Sequence, residues 1–455
     1  MRRLGTLLFV GMVGCGGGGG SERVDAGGAV DAGARDASVV DAAVEADGGS
    51  DAGPTDAGEA DAATDGGTDG GVDAGPGDAG TDAGPPDAGV RDAGPLDAGP
   101  DGGLLLPRCG GGAGDHLLFS GRQPGLPRIA WDGARYAYAL FSRTGPTAAE
   151  PMEGFVGFAS AAGTASPPAQ VTPDDGEASI WPRVVAAERA GERRYGVVYL
   201  DDRGERRAAY FALLDETGAP IREELLSSGD GERADDHALA YAPSAGLFAA
   251  AWSGSEGVHV ARIATDGAVL GSTLVAPSTA ALAYTGTPMV WAGDRFALVM
   301  GPAGEIVEVF PDGSLGDRHP LGVSGIRFAL GWSGSEYAVA WQQGGVVRFL
   351  RADGDGVIAD SERELDPGPD GGEADVAWGG TEWGVVWHRG SSTMPSDVWF
   401  ATVSAAGVAG APRRLTTTGE VDWWPSLTWC GQFAVVYEHG RTGVGETGEL
   451  RLVFP

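Results

Sequence analysis

The chain has 455 residues, and its 64 acidic and 31 basic residues give a formal net charge of −33. Such an acidic surface repels phosphate backbones, and the sequence has no basic stripe or RNA-binding motif, so nucleic-acid binding is not expected. The charge is uneven, because residues 22–101 carry 20 acidic and 3 basic side chains. The sequence after Leu104 mixes apolar, aromatic and polar residues and is long enough to bury a sizeable core.

The first 15 residues have the pattern of an export signal. Arg2 and Arg3 precede an apolar stretch, Leu4–Val13, that is too short to span a bilayer. Cys15 follows almost directly, and this arrangement resembles the bacterial lipoprotein signal, in which the cysteine becomes the lipidated N-terminus. The resemblance implies a signal peptide over 1–15, lipidation of Cys15 and, with Gly16 next, an outer-membrane or cell-surface location. The alternative is an ordinary secretory signal in which Cys15 is incidental.

Residues 16–107 form a low-complexity segment of glycines and Asp-Ala-Gly repeats that contains no aromatic residue. Such a segment cannot bury enough apolar surface to offset its chain entropy, so we predict a disordered acidic tether. A flexible chain of about 85 residues spans roughly 50 Å root-mean-square, which suits a spacer between a membrane and a folded domain. Calcium binding is the alternative, but single Asp residues about five positions apart do not converge on one ion.

Seven later segments share one pattern. Each begins with an aromatic residue, continues with small or β-branched residues and ends in a large apolar residue, as expected of buried central strands. The segments begin at Tyr136, Tyr195, Phe248, Phe296, Tyr337, Trp383 and Phe433.

Each central segment follows another apolar strand, which usually ends in an aromatic anchor. The anchors are Trp131, Ala186, Tyr241, Trp291, Trp332, Trp378 and Trp429, at spacings of 55, 55, 50, 41, 46 and 51 residues. A third strand, an Asp-Gly turn in several copies and a weaker fourth strand complete the unit. We therefore predict an all-β fold over 108–455, a seven-bladed β-propeller of four-stranded antiparallel blades. A sandwich or a solenoid explains the four-strand unit less well.

The last repeat stops one strand short, and a matching strand stands at the beginning of the domain. The stretch that starts at His116 aligns with the stretch that starts at Arg413. We expect the N-terminal strand to complete the seventh blade and close the ring, which would hide sheet edges. The repeat is similar to a diverse group of secreted bacterial propellers with a V-V-W-x-D-x-R pattern and a following tyrosine-bearing strand. The best local match is Val197–Gly218, and the resemblance implies the fold only.

Few residues could form a disulfide, bind a metal or take part in catalysis. An exported compartment permits disulfides, and Cys109 and Cys430 lie beside the predicted closing strand and in the first turn of the last blade, so we predict that they pair. Two unpaired thiols are the alternative. The six histidines have no metal-type spacing, and no Gly-x-Ser-x-Gly, phosphate-loop or zincin motif occurs. We expect no metal, no cofactor and no catalytic group.

One candidate ligand site remains. An arginine follows the central strand in four blades that are neighbours in a closed ring, and other polar and aromatic residues lie on the same predicted face. The candidates are Arg143, Arg203, Arg389 and Arg441, with Asp201, Asp202, His388, Glu438 and His439 in the same loops and Trp181, Trp423 and Trp424 in the loops that enter the first strands. Arginines suit carboxylate or phosphate ligands. The site is interpreted either as a funnel for an acidic glycan or as a set of salt bridges repeated on the rim.

Three functions remain open at this point. The first is a non-catalytic binding module for glycan or protein ligands, attached to the membrane through a lipid anchor and monomeric. The second is a structural protein of the cell envelope. The third is a glycoside-active, sialidase-like propeller enzyme, which needs two convergent carboxylates or an activated tyrosine. The third function is disfavoured because the Asp-box pattern Ser-x-Asp-x-Gly-x-x-Thr-Trp is missing.

Overall fold

The computed structural model describes residues 114–455, apart from 146, 148, 190, 228–232, 283–285, 367, 369, 391–394 and 441–445. The signal peptide predicted over 1–15, the tether predicted over 16–107 and Cys109 lie outside these residues. All described residues belong to one unit, Asp87–Pro455. Every regular element in the described ranges is a β-strand. Within the same ranges, no helix has the length and apolar character needed to cross a membrane.

The strands are numbered along the chain. The first half of the domain contains β1 (Asp115–Trp131), β2 (Arg135–Arg143), β3 (Met152–Ser160), β4 (Ala169–Gln170), β5 (Ser179–Arg189), β6 (Glu192–Asp201), β7 (Ala208–Leu214), β8 (Pro220–Leu225), β9 (Ala234–Ala242), β10 (Leu247–Gly254), β11 (Gly257–Ala264) and β12 (Val269–Ala276). The second half contains β13 (Met289–Trp291), β14 (Phe296–Met300), β15 (Glu305–Val309), β16 (Leu315–Pro320), β17 (Ile326–Trp332), β18 (Tyr337–Gln343), β19 (Val346–Asp353), β20 (Gly356–Val357), β21 (Arg363–Asp366), β22 (Gly371–Trp378), β23 (Glu382–Arg389), β24 (Asp397–Ser404), β25 (Arg413–Arg414), β26 (Asp422–Trp429), β27 (Phe433–His439) and β28 (Thr447–Val453).

Consecutive strands pair antiparallel and form meander sheets. Four sheets have four strands each, β5–β8, β9–β12, β13–β16 and β22–β25, and a fifth contains β17–β20 with β21 also paired to β19. The remaining sheet has seven strands in the order β26-β27-β28-β1-β2-β3-β4. Its middle strand, β1, pairs with β28 through Asp115–Arg122 and with β2 through Arg122–Trp131.

The first strands of neighbouring sheets lie side by side. β1 contacts β5, and the contacts continue through β9, β13, β17, β22 and β26, which in turn contacts β1. The second strand of each sheet is buried between its neighbours, as in β14, where all five residues are buried. The apolar core therefore lies between the faces of adjacent sheets. A radial arrangement of four-stranded antiparallel meanders of this kind is a β-propeller.

The repeat predicted from the sequence is confirmed at the level of strands. All seven central segments are second strands of a meander, and they are β2, β6, β10, β14, β18, β23 and β27. The aromatic anchor at the end of a first strand packs against the aromatic residue that begins the second strand. The ring centres of Trp332 and Tyr337 are 4.6 Å apart, and those of Trp131 and Tyr136 are 4.8 Å apart.

Arginine side chains also connect neighbouring sheets. Arg262 donates a hydrogen bond to the main-chain carbonyl of Pro311 at 3.2 Å, and Arg351 donates one to the carbonyl of Ala405. Both carbonyls lie in turns that follow a third strand. In the turn at Asp312-Gly313, Gly313 adopts a φ of +91°, a conformation that glycine tolerates without steric cost. In an antiparallel meander these turns lie at the end of the sheet opposite to the loops that follow the second strands.

Candidate functional site

The upper face of the domain is formed by the loops that follow the second strands, such as 201–207, and by the loops that enter the first strands. Near this face several first strands carry a β-bulge, with register shifts at 125–128, 180–183, 326–329 and 423–426. Each shift contains one large residue with a positive φ, namely Leu126 (+44°), Trp181 (+58°), Arg327 (+61°) and Trp424 (+48°). This conformation costs about 1–3 kcal/mol and is concentrated at functional sites. Bulges re-aim side chains in the same places.

The three predicted tryptophans lie at these bulges and are partly exposed. Trp181 and Trp424 pack against one apolar cluster that includes Leu126. The ring centres of Trp423 and Trp424 are 5.4 Å apart, and the ring of His388 lies 5.2 Å from that of Trp423. The bulges therefore place aromatic surface from at least two sheets together at the upper face.

Arg203 is held in a network within its own sheet. Its guanidinium donates to Asp201 at 2.9 Å, to Glu223 at 2.6 Å and to the Tyr199 hydroxyl at 2.9 Å. It also lies 4.0 Å over the ring of Tyr210. Burial disfavours the charge of Arg203, but the hydrogen bonds that its guanidinium donates to Asp201 and Glu223 outweigh burial and raise its pKa above the usual value. These contacts are of the kind that the salt-bridge interpretation predicts.

The other predicted arginines differ in their surroundings. The Arg143 Nε donates to the Gln123 side chain at 2.8 Å. The Arg389 guanidinium lies 3.5 Å from the Asp366 carboxylate, and its side chain is 41% exposed. Arg441 lies outside the described residues. Each described arginine of the predicted set is thus held by a nearby acceptor.

The two predicted histidines each pair with a carboxylate on the first strand of the same sheet. His388 Nδ1 lies 2.8 Å from Glu373, which also pairs with Arg327 at 3.0 Å. Burial opposes ionisation of Glu373, but the charges of His388 and Arg327 outweigh it and lower its pKa to about 2. His439 Nδ1 lies 2.6 Å from the Asp422 carboxylate, and this hydrogen bond raises the pKa of His439.

The remaining predicted acidic residues are divided between the interior and the loops. Glu438 is 2% exposed on β27, opposite Trp423 in the strand register. Asp201 is buried and accepts a hydrogen bond from Ser179 at 2.7 Å. Asp202 pairs with Arg207 at 2.8 Å. Asp202 is the one of these three that lies in the wall of an open cleft.

A group of buried polar residues on the first strands was not predicted from the sequence. We call Arg128, Arg183, His237, Asp375 and Ser426 the inner cluster. Arg183 donates to His237 Nδ1 at 3.2 Å, and Asp375 accepts from Ser426 Oγ at 3.2 Å and from the Leu427 main-chain nitrogen at 3.0 Å. Burial lowers the pKa of Arg128 to about 10, while the charges of Asp375 and Glu373 oppose that shift.

The sequence did contain a signal for the inner cluster. Arg128, Arg183, Asp375 and Ser426 each stand three residues before an anchor, at Trp131, Ala186, Trp378 and Trp429. Small apolar residues occupy the same position in two other repeats, Ala238 and Ala329. A charged residue in a strand that is buried on both faces needs a partner, and so indicates a polar cluster inside the domain. Aligning the repeats on their anchors would have identified the members of this cluster.

A second feature missed at the sequence level is a cleft of about 410 Å³ at the upper face. We call it the blade-two cleft, and its lining residues are Asp202, Glu205, Arg206, Arg207 and Arg233. The cleft lies between the loop that follows β6 and the start of β9. The Arg207 guanidinium lies 5.8 Å from the ring of Trp181, so that the bulged tryptophan lies close to the cleft.

The predicted lipid and disulfide sites lie largely outside the described residues. Cys15 and Cys109 are both outside them. Cys430 lies in the turn between β26 and β27, and its sulfur is 2.9 Å from the Tyr136 hydroxyl. Across the residues that are described, no group of three or more His, Cys, Asp and Glu side chains could hold a metal ion.

No protein-family model matches this chain, and no curated protein matches it. Several solved structures resemble it at low identity. The Dos1 propeller is 9% identical over 74% of this chain and 94% of its own, with a TM-score of 0.44. The WD40 domain of SCAP from fission yeast is 9% identical over 75% of this chain and 98% of its own, with a TM-score of 0.42.

An acylaminoacyl peptidase from Pyrococcus horikoshii also resembles the chain, with 12% identity, 74% coverage of this chain and a TM-score of 0.42. The matched region spans about half of the peptidase, 52% of its length. At this level of similarity none of these structures assigns an activity, a ligand or a partner to the chain.

Proposed function

We propose that this protein is a non-catalytic binding module that takes a glycan at the upper face of its propeller. The observation that carries the proposal is the pair of bulged tryptophans, Trp181 and Trp424. Both keep a positive φ, both are partly exposed and both pack on one apolar cluster. A positive φ costs free energy at a residue as large as tryptophan, and a partly exposed aromatic surface with polar neighbours suits ligand binding.

The proposal includes a closed ring of seven blades. The pairing of β1 with both β28 and β2 supports closure, because it joins the beginning and the end of the domain in one sheet. The contacts of the first strands, which run from β1 through β26 and back to β1, support a count of seven. A closed ring would hold the upper-face loops at fixed positions, as a binding surface on a rigid scaffold requires.

The proposal also includes display at the cell surface. A lipid on Cys15 would anchor the chain in the outer membrane, and the acidic segment 16–107 would act as a spacer. The support is the sequence pattern: two arginines, a short apolar stretch, a cysteine and then a repetitive acidic segment.

The test is a glycan array probed with the full chain purified in detergent. We expect binding by the native protein and at least a tenfold loss for Trp181→Ala and for Trp424→Ala. Trp291→Ala is the matched control, because Trp291 is also partly exposed but lies at the other end of its first strand, against Phe296. Equal losses for all three variants, or no bound glycan, would contradict the proposal. Capture of a protein partner with no bound glycan would favour a protein-binding module.

A further inference from the structure

We infer that the blade-two cleft binds the carboxylate of an acidic sugar, with Trp181 as the neighbouring aromatic surface. This inference rests on the proposed function and adds the chemical class of the ligand. It assigns the ligand to the arginines that line the blade-two cleft, and not to the predicted residues Arg143, Arg203 and Arg389.

The size and exposure of the cleft suit a small polar ligand. Its volume of about 410 Å³ lies within the range of about 300–1,000 Å³ that is typical of ligand sites. Arg233 has 60% of its side chain exposed and pairs with Asp235 at 2.6 Å, whereas Arg207 is 22% exposed and pairs with Asp202 at 2.8 Å. A guanidinium that a neighbouring carboxylate already holds in place loses little conformational entropy when it binds a ligand. It can bind a planar carboxylate through two parallel hydrogen bonds.

The charge of the cleft differs from that of the chain. Three guanidinium groups and two carboxylates line it, and Asp235 pairs with Arg233 at 2.6 Å beside it, so positive and negative groups balance there, whereas the whole chain carries −33. A balanced cleft accepts a monoanion more readily than the acidic surface around it does. A phosphate dianion or a densely charged polyanion would be repelled by the acidic surface around it. The cleft therefore favours a sugar with one carboxylate over a phosphorylated ligand.

The neighbourhood of the cleft favours a sugar over an acidic peptide. The Arg207 guanidinium lies over the Trp181 ring, 5.8 Å from its centre, so a cation and an aromatic ring meet at the cleft. A sugar acid presents the matching pair, an apolar ring face and a carboxylate. Asp236 is partly buried at the start of β9, and burial raises the pKa of its carboxyl to about 8 although the charges of Arg183 and Arg207 oppose that shift.

The experiment compares methyl galactopyranosiduronic acid, which carries one carboxylate, with its methyl ester, which has the same sugar ring without the charge. Binding to the full chain in detergent is measured by isothermal titration calorimetry. We expect the acid to bind at least tenfold more tightly than the ester. The double variant Arg206→Gln/Arg233→Gln should remove that preference and leave the weak binding of the ester unchanged. Arg222→Gln is the control, because Arg222 is 42% exposed and paired with Glu224 outside the cleft.

The outcomes separate this inference from the proposed function. Equal affinity for acid and ester, or the same loss in Arg222→Gln as in the double variant, overturns the inference. If the array shows neutral glycans that depend on Trp181 while the acid does not bind, the proposed function holds and the inference fails. Displacement of the acid by equimolar inorganic phosphate would also overturn it. Thermal melting of each variant checks that these exposed substitutions leave the fold intact.

Discussion

The Tyr437 hydroxyl donates a hydrogen bond to the Asp115 carboxylate across 2.8 Å and so links two residues that are 322 positions apart. Arg451 pairs with the same carboxylate at 2.9 Å. Asp115 begins β1, whereas Tyr437 and Arg451 lie on β27 and β28. The contact therefore reinforces the pairing of the first described strand with the last one.

Tyr437→Phe should lower the free energy of unfolding by about 1 kcal/mol, because one largely buried hydrogen bond is lost while the ring still packs. Denaturant unfolding of the full chain measures the change. Tyr210→Phe is the control, since the Tyr210 hydroxyl has no hydrogen-bond partner among the described residues. An equal loss in both variants would mean that the Tyr437 hydroxyl does not stabilise the joint.

Asp375→Asn should destabilise the protein by about 3 kcal/mol, because the substitution removes a buried negative charge that faces Arg128 and Arg183. It also disturbs the hydrogen bonds from Ser426 and Leu427. Chemical denaturation gives the value, and Asp355→Asn in an exposed turn is the control. A loss below about 0.5 kcal/mol, the usual range of surface substitutions, would show that the inner cluster does not depend on this charge.

Glu153 should make stability depend on pH. Burial raises its pKa from 4.5 to about 7, although the hydrogen bond from Thr172 opposes the shift. The folded protein therefore holds this proton more tightly than the unfolded chain does. The contribution to stability is fully present below pH 4.5 and is lost as the pH rises through 7.

Glu153→Gln isolates this effect, because all other titrating groups are shared by the two proteins. The free energy of unfolding of the native protein minus that of the variant should fall by roughly 1–2 kcal/mol as the pH rises from about 4.5 to 8. Denaturant titrations at several pH values measure it. A difference that stays constant with pH would contradict the raised pKa.

The strand repeat could be predicted because its signal is local. A residue such as Tyr337 begins a buried strand, and Trp332 ends the strand before it, so a short window contains both members of the packed pair. The pairing of β1 with β28 could also be predicted from the sequence, because the stretches at the two ends of the domain align with each other. Patterns of this kind depend on alternation and on turn residues, which a single sequence contains.

The upper face could not be predicted in the same way. The positive φ of Trp424 opposes its local preference and is imposed by packing against other sheets. Both Arg203 and Arg207 pair with nearby carboxylates, and the two look alike in the sequence. Only the folded structure shows that Arg207 also lines the blade-two cleft.

Cys15→Ser should release the protein from membranes. The lipid is the only anchor that the sequence pattern predicts, and without the thiol no lipid can be attached. Fractionation of cells that express the native chain and the variant tests this, with Cys430→Ser as a control for general effects of losing a cysteine. Unchanged membrane association of Cys15→Ser would contradict the lipid anchor and leave an ordinary secretory signal as the explanation.

A disulfide between Cys109 and Cys430 should stabilise the joint between the two ends of the domain. Cys430 lies in the turn that joins β26 and β27, and its sulfur lies beside Tyr136 on β2, so this turn is close to both halves of the seven-stranded sheet. A bridge requires Cα atoms within about 7 Å. Cys109 precedes Asp115, the first residue of β1, by six positions, which is a short enough reach for such a bridge.

The size of the effect follows from the loop that the bridge closes. In the chain-entropy model, closing a loop of about 320 residues raises the free energy of unfolding by roughly 5–6 kcal/mol, and real bridges usually stabilise less. Peptide mapping without reduction should identify a Cys109–Cys430 peptide. Reductant should lower the melting temperature of the native chain but not that of Cys109→Ser/Cys430→Ser. Free thiols at both positions in protein from an oxidising compartment would contradict the bridge. The joint would then depend on strand pairing and on contacts such as Tyr437 with Asp115.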